Sequence, residues 1–363
     1  MATRFGRRFL YLVVDNYLHT PSPWYSLHRI DPSPLFHYCQ ASPAPVEAVR
    51  LPEPTTSFHL ASGSMGFTLL GRSKDKIAAV DHMGRGVLYY DDGSNAVRPL
   101  PALTPPRRRP VVSVAVDGLQ SEDESSAYFI ETFPKADSTG RRSVEALVYD
   151  GRLEADWVRC SLPPPPYVHA PGYGDDGDRS GEITCHAVDC HREGDGALIW
   201  FSTAGRGTYW LDTASRAWSK AGDWALPFRG RAVPAPECGL WFGLSAADDS
   251  HVRASDLGAA LHDDRPPAAD QVWEGFSVPE GARHVKSYIL HLNNGRFCIA
   301  KLYETRRRQT DCCGCCWNDE EETFALFTGV EVVRGDHTGK WHRVIKHRSL
   351  RYSLGRDFAV CVF

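Results

Sequence analysis

The sequence predicts an all-β fold, a single β-propeller of about six four-stranded blades spanning residues 1–363, on three observations. First, a phrase recurs in which an apolar or aromatic strand ends on aspartate and a polar turn follows: Tyr25 to Asp31, Val87 to Asp91, Ala146 to Asp150 and Thr208 to Asp212. The terminal aspartates stand roughly 60 residues apart, the mark of a repeated unit that cannot bury its own apolar face alone. Second, one period holds four short strands, the number in a propeller blade. Third, each end of the chain carries an incomplete blade, and pairing the two would close a ring and hide the sheet edges.

Taken in order, Phe9 to Val14, Tyr25 to Ile30 and Val46 to Leu51 form a blade lacking one strand, which the last apolar run, Asp357 to Phe363, completes. A second blade covers about 66–100 and a third about 111–162. The fourth, 183–222, is the clearest: Ile183 to Val188, Ala197 to Ser202, Gly207 to Asp212 and Ala217 to Gly222 are β-branched or aromatic, and Gly, Asp and Ser clusters separate them. Looser blades follow at about 229–277 and 285–345. Helix is scarce, with candidates only around Ala254 to Leu261 and in a short turn after Pro32. The proline-rich runs Leu100 to Pro110 and Leu162 to Pro171, and the acidic Gly172 to Gly181, read as connections. Two β-sandwich domains are the alternative; the even spacing and the orphan end strands favour one ring.

Composition narrows the function classes. Hydrophobic residues at 42% and charged residues at 24% suit a soluble globular chain, and a net charge of -4 exerts no general pull on phosphate backbones or anionic membranes. No nucleic acid is expected as partner. Eleven cysteines, among them Cys160, Cys238, Cys298 and Cys361, are scattered through apolar segments and form no disulfide framework. Arg4, Arg7 and Arg8 precede the apolar run Phe9 to Val14, but Asp15 ends it too early for a signal peptide, and no run approaches a membrane span. A reducing cytoplasmic or nuclear compartment is expected.

The assembled phrases resemble a plant family of kelch-like proteins, expanded in grasses, the domain-of-unknown-function family numbered 1668. The resemblance rests on Leu10-Tyr11-Leu12-Val13-Val14-Asp15 with Tyr25 to Asp31, on Leu162 to Pro166, and on Gly207-Thr208-Tyr209. It continues through Gly222 to Arg231, Leu240 to Ser245, Gly295 to Ile299 and Phe327 to Val332. It implies a kelch-like propeller and assigns no activity. Some plant kelch-like propellers follow an F-box; here Phe9 already starts a strand, so no F-box module is expected.

Local chemistry is sparse, and no catalytic residue or cofactor is assigned. Cys312, Cys313, Cys315 and Cys316 form two overlapping C-x2-C pairs, the leading metal-ligand candidates, with a redox-sensitive or palmitoylated thiol role as the alternative; a zinc site needs a second pair or a histidine pair, and neither occurs. They are read as an exposed loop between a strand ending near Tyr303 and one starting at Thr323. Cys185-His186 and Cys190-His191 sit on or beside a strand, where neighbouring side chains point to opposite faces. Asp176, Asp178 and Ser180 open like an EF-hand loop, yet Ala187 occupies the glutamate position. Ser62 to Gly66 lacks the frame of a nucleophile elbow, and no phosphate loop occurs. Arg107 to Arg109 and Arg306 to Arg308 are read as solvated loops, and Trp157, Trp210, Trp218, Trp224 and Trp241 as packing between sheets.

The leading expectation is a non-catalytic platform that binds an unknown protein partner through its loops. The alternative is an enzyme or small-ligand binder using the axial channel, suggested by His186, His284 and His291 on or beside inner strands.

Overall fold

A computed structural model describes residues 7–16, 24–37, 46–91, 93–104, 111–117, 125–135, 144–150, 156–174, 180–190, 196–248, 250–261, 265–274, 278–310, 317–333 and 343–363. They form 25 strands and three short 3-10 turns, with almost no helix. No described helix is long and apolar enough to cross a membrane.

The described strands pair into five sheets, three of four strands, one of five and one of eight. In chain order they give six successive antiparallel units of four strands, the fourth and fifth joined in the eight-stranded sheet. The first joins β1 (Leu10–Asp15), β2 (Trp24–Ile30) and β4 (Pro54–His59) to the last strand, β25 (Phe358–Val362). Between β2 and β4 lies β3 (Val46–Val49). The second unit is β5 (Met65–Leu70), β6 (Lys76–Asp81), β7 (Gly86–Tyr90) and β8 (Val97–Leu100). The third is β9 (Val111–Asp117), β10 (Ser125–Glu131), β11 (Val144–Asp150) and β12 (Asp156–Leu162). The fourth is β13 (Ile183–Asp189), β14 (Leu198–Thr203), β15 (Gly207–Asp212) and β16 (Ala217–Gly222), and the fifth is β17 (Phe228–Ala235), β18 (Leu240–Ser245), β19 (His251–Ser255) and β20 (Ala269–Glu274). The sixth is β21 (Ala282–Asn293), β22 (Arg296–Thr310), β23 (Trp317–Val333) and β24 (Arg343–Gly355).

Local chemistry explains why strands end where the recurring aspartates stand. Asp31 Oδ1 accepts the Ser33 amide at 2.9 Å, and Asp212 Oδ1 accepts the Ala214 amide at 2.9 Å. Each carboxylate thus replaces the next ladder bond and turns the chain. Asp91 behaves differently: it is buried and accepts the Tyr11 hydroxyl at 2.7 Å, tying the second unit to the first.

Many strands are apolar throughout because both faces are covered. On β1, Leu10, Leu12 and Val14 pack with Leu290, Cys298 and Phe327 of the sixth unit, while Tyr11 and Val13 pack with Phe67, Ile77 and Tyr89 of the second. On β14, Leu198 and Trp200 face Phe228 and Trp241 of the fifth unit, and Ile199 and Phe201 face Val114 and Ile130 of the third. Further clusters join the second unit to the third around Leu88 and Phe129, and the fifth to the sixth around Phe242 and Ile299. Trp157 and Trp241 are buried in these seams, and their indole N–H groups donate to Ser125 O and Val188 O at 2.9 and 3.2 Å. Trp210, Trp218 and Trp224 pack at seam margins, half-buried.

Three expectations need correction. Val46 to Leu51 does not complete the first unit: β4 does, and β3 instead runs parallel to β24, with Val46 beside Ser349 and Val49 beside Tyr352. The alternating Thr56 and Phe58 supply β4 with the inward face that the exposed Val46 lacks. The helix expected over Ala254 to Leu261 is the end of β19 followed by a three-residue turn at Ala259–Leu261. Arg306 to Arg308 do not lie in a loop, because β22 and β23 continue well past Tyr303 and Thr323.

The glycine in the phrase Phe327 to Val332 has a steric reason. A Cβ on Gly329 would stand 2.8 Å from the Leu35 carbonyl oxygen, where the short turn Ser33–Phe36 crosses β23.

Candidate functional site

Among the leading strands of the units, β5 meets β9, β13 meets β17, β17 meets β21, and β21 meets β25. Ser113 Oγ on β9 donates to Phe67 O on β5 at 3.3 Å, and Tyr288 Oη on β21 donates to Val360 O on β25 at 3.0 Å. β13 and β17 pair in parallel, with Cys185 beside Gly230 and His186 beside Arg231.

Charged groups collect along these strands. Lys74, in the turn after β5, pairs with Asp117 at the end of β9, and Asp117 also accepts Ser125 Oγ at 3.2 Å. The Lys74 and Asp117 side chains keep 24% and 28% of their surface open. Protein still surrounds the lysine closely enough that desolvation leads the lowering of its pKa, against the pull of Asp117 and with added repulsion from Arg231 and Arg7. Arg231 reaches solvent, yet desolvation also lowers its pKa, opposed by Asp117. Beside it, burial and then the Arg231 charge hold His186 down to about 3, so the imidazole is neutral at pH 7. Arg7, just before β1, is brought down to about 9 by burial and then by Arg231, and its Nε is buried without a hydrogen-bond partner among the described residues. Burial pushes the Cys190 thiol up to about 11, so it is no ready nucleophile.

The outcome is a mixed group of three cations, a neutral imidazole and the carboxylates of Asp117 and Asp189, the last two both acting on Cys190. Such a set attracts and orients anions; it contains no described nucleophile and base in hydrogen-bond contact. Of the three histidines singled out from the sequence, only His186 joins it. His284 Nε2 bonds Ser287 Oγ at 2.7 Å and its ring meets Tyr303 edge-on. His291 Nε2 bonds Glu237 Oε1 at 2.7 Å, and the Gly295 amide donates to the same oxygen at 2.6 Å. Burial raises the Glu237 pKa, but these bonds outweigh it and bring the carboxyl down to about 2.

A second candidate is a surface. β21 pairs with β22 only as far as Thr305, and β24 pairs with β23 only from Thr323. Beyond these points β22 and β23 continue as a two-stranded arm with Arg306 opposite Glu321, Arg307 opposite Glu320 and Arg308 opposite Asp319. Basic residues facing acidic ones across an antiparallel ladder favour strand over loop. Arg306 Nε bonds Glu321 Oε1 at 2.9 Å, with both side chains exposed.

The remaining sequence candidates separate. Cys312, Cys313, Cys315, Cys316, Arg107 to Arg109, Asp176, Asp178 and His191 lie outside the described residues. Cys185 is buried with its thiol 3.9 Å from the His186 carbonyl oxygen. Cys160, Cys185, Cys190, Cys298 and Cys361 are free thiols. No group of three or more His, Cys, Asp or Glu side chains able to hold a metal ion gathers among the described residues. Sequence reading passed over Lys74 and Arg231, and it took Arg7 for part of a basic start. The three lie on different units, so no spacing connects them.

No curated protein matches the chain. Among solved structures it is similar to Kluyveromyces lactis Hsv2, at 9% identity and a TM-score of 0.37 over 91% of this chain and 83% of that one. It is similar to the Myceliophteria thermophila Cps50 (Swd1) beta-propeller domain at 11% identity and 0.39, over 85% and 90%. Apo AztD from Citrobacter koseri gives 11% identity and 0.34, over 96% and 99%. The family described as "Protein of unknown function (DUF1668)" matches residues 7–352, and the chain belongs to it.

Proposed function

We propose that residues 1–363 form one kelch-like propeller domain of six blades, closed by β25, and that this ring is a non-catalytic scaffold for binding another protein. The apolar seams support the ring: each unit packs on the next, and the sixth packs on the first. The five free thiols among the described residues support a reducing cytoplasmic or nuclear setting.

The observation that carries the scaffold reading is the arm. Among the described residues no third strand pairs with the two-stranded extension, and its sequence is mostly polar, which suits recognition by a partner. The test compares the full chain with a variant in which residues 307–320 are replaced by an Asn-Gly turn joining Arg306 to Glu321. Quantitative affinity capture from the source tissue should recover a protein in near-stoichiometric amount with the full chain and lose it with the variant, whose thermal unfolding stays cooperative. Absence of any stoichiometric protein would overturn the scaffold reading, and equal recovery by both chains would remove the arm from it.

The second reading is an enzyme or small-ligand binder working from the axis of the ring. His186 beside Arg231, with Lys74 and Asp117 nearby, favours it.

A further inference from the structure

We infer that the outer edge of β24 is a docking edge for an extended segment of a partner protein, and that β3 occupies it as an internal stand-in. This adds a second contact surface to the scaffold reading, and its test involves neither the arm nor capture from tissue.

The first observation is that β3 belongs to no unit. The outer strands β4, β8, β12, β16 and β20 pair with no fifth strand among the described residues, whereas β24 takes β3, which comes from between β2 and β4 of the first unit. The second is that β3 hides little: Val46, Glu47 and Ala48 are exposed and Val49 is half-buried. It is held by parallel pairing of Val46 to Val49 with Ser349 to Tyr352, and by an ion pair between Arg348 and Glu47. Backbone bonds for affinity and a side chain for selection are how a sheet edge takes up a foreign strand.

The third is that the segment is anchored outside β3. On one side Leu35 is buried with Phe327 and Leu350, and the Phe36 ring meets His347 edge-on at 5.2 Å with the Arg296 guanidinium over it. On the other side Leu51 packs on the same cluster, and His28 Nδ1 donates to Pro52 O at 2.7 Å. β3 can therefore leave the edge while the turn at Ser33–Phe36 and the start of β4 stay in place. A four-residue parallel pairing is the weakest of these attachments. The fitting partner is a strand parallel to β24 that places a carboxylate where Glu47 meets Arg348.

The test uses a fluorescein-labelled peptide with the sequence of residues 45–52, read by anisotropy against the full chain and against a variant carrying Gly-Ser-Gly-Ser at residues 46–49. The variant should unfold cooperatively and bind the peptide saturably, at least about tenfold more tightly than the full chain, whose own β3 competes at high effective concentration. Glu47→Lys in the peptide should weaken binding to the variant by about tenfold or more, and Arg348→Glu in the variant should reverse that preference. No saturable binding to the variant, equal binding to both chains, or indifference to the charge at position 47 overturns the proposal. Should the Gly-Ser variant fail to fold, Glu47→Arg in the full chain, which sets like charges against Arg348, takes its place and should raise the peptide's affinity. A dimer of the full chain that forms with rising concentration and is lost in the Gly-Ser variant would make the occupant a second copy of this chain and overturn the partner assignment.

Discussion

His186 and Arg231 stand side by side on the parallel strands β13 and β17, and the arginine's charge adds to burial in keeping the imidazole unprotonated. The unfolded chain takes up that proton near the ordinary value of 6.5, the folded protein only near pH 3. Between those values the unfolded state binds more protons, so stability falls as pH drops through the window and is unaffected above it. His186→Gln removes this contribution. Urea denaturation at pH 7 and pH 5 should show a smaller loss for the variant than for the parent; equal losses would mean that the ring is solvated.

Glu237 gives a second pH signature. Its carboxyl titrates at about 2 in the fold against an ordinary 4.5, held by His291 and the Gly295 amide. The stabilisation is present above pH 4.5 and lost as pH falls toward 2. Because a third of the side chain is open to solvent, 33%, the contribution is about 1 kcal/mol. Glu237→Gln should lower stability by that amount at pH 7 and by nothing near pH 2, read from denaturant midpoints.

Tyr11 and Asp91 test the seam between the first two units. The hydroxyl donates to a buried carboxylate across 80 residues of sequence. Tyr11→Phe leaves Asp91 with Arg29 at 3.3 Å and should cost about 1–3 kcal/mol, as for a hydrogen bond to a charged group. A cost below about 0.5 kcal/mol, the size expected of an exposed surface contact, would show the bond to be solvated.

The arm and the core should respond oppositely. Trp200 is fully buried against Trp210 and the fifth unit, and Trp200→Ala should cost about 3–5 kcal/mol. Arg306→Gln breaks an exposed ion pair and should cost under about 0.5 kcal/mol. A large loss from the arm variant would make the arm a structural element and weaken its assignment as a contact surface.

The strands of the fourth unit were legible from sequence because turn residues punctuate β-rich runs of fixed length, and β13 to β16 begin and end within a residue or two of the expected positions. β3 and β4 were not, since Val46 to Val49 looks more strand-like than Pro54 to His59, and only contacts across the whole chain send β3 to the sixth unit. Arg306 to Arg308 read as a solvated loop because the charged runs on either side of the cysteine-rich stretch lack the apolar alternation that marks a strand, and only their register across the ladder reveals it. The cation cluster had no local signal at all: Arg7, Lys74 and Arg231 become neighbours only through the arrangement of the units. His186 alone was visible, as a polar residue on an otherwise apolar strand.

Both readings of function need the two ends of the chain to share one blade, with Asp15 opposite Phe358 and Leu12 opposite Val362. Asp15→Cys combined with Phe358→Cys places two thiols at the exposed end of that pairing. Mild oxidation followed by peptide mapping should find an intramolecular disulfide between the two introduced thiols in nearly all molecules, with a raised thermal midpoint. Recovery of both thiols free, or linked only between molecules, would contradict the closed ring.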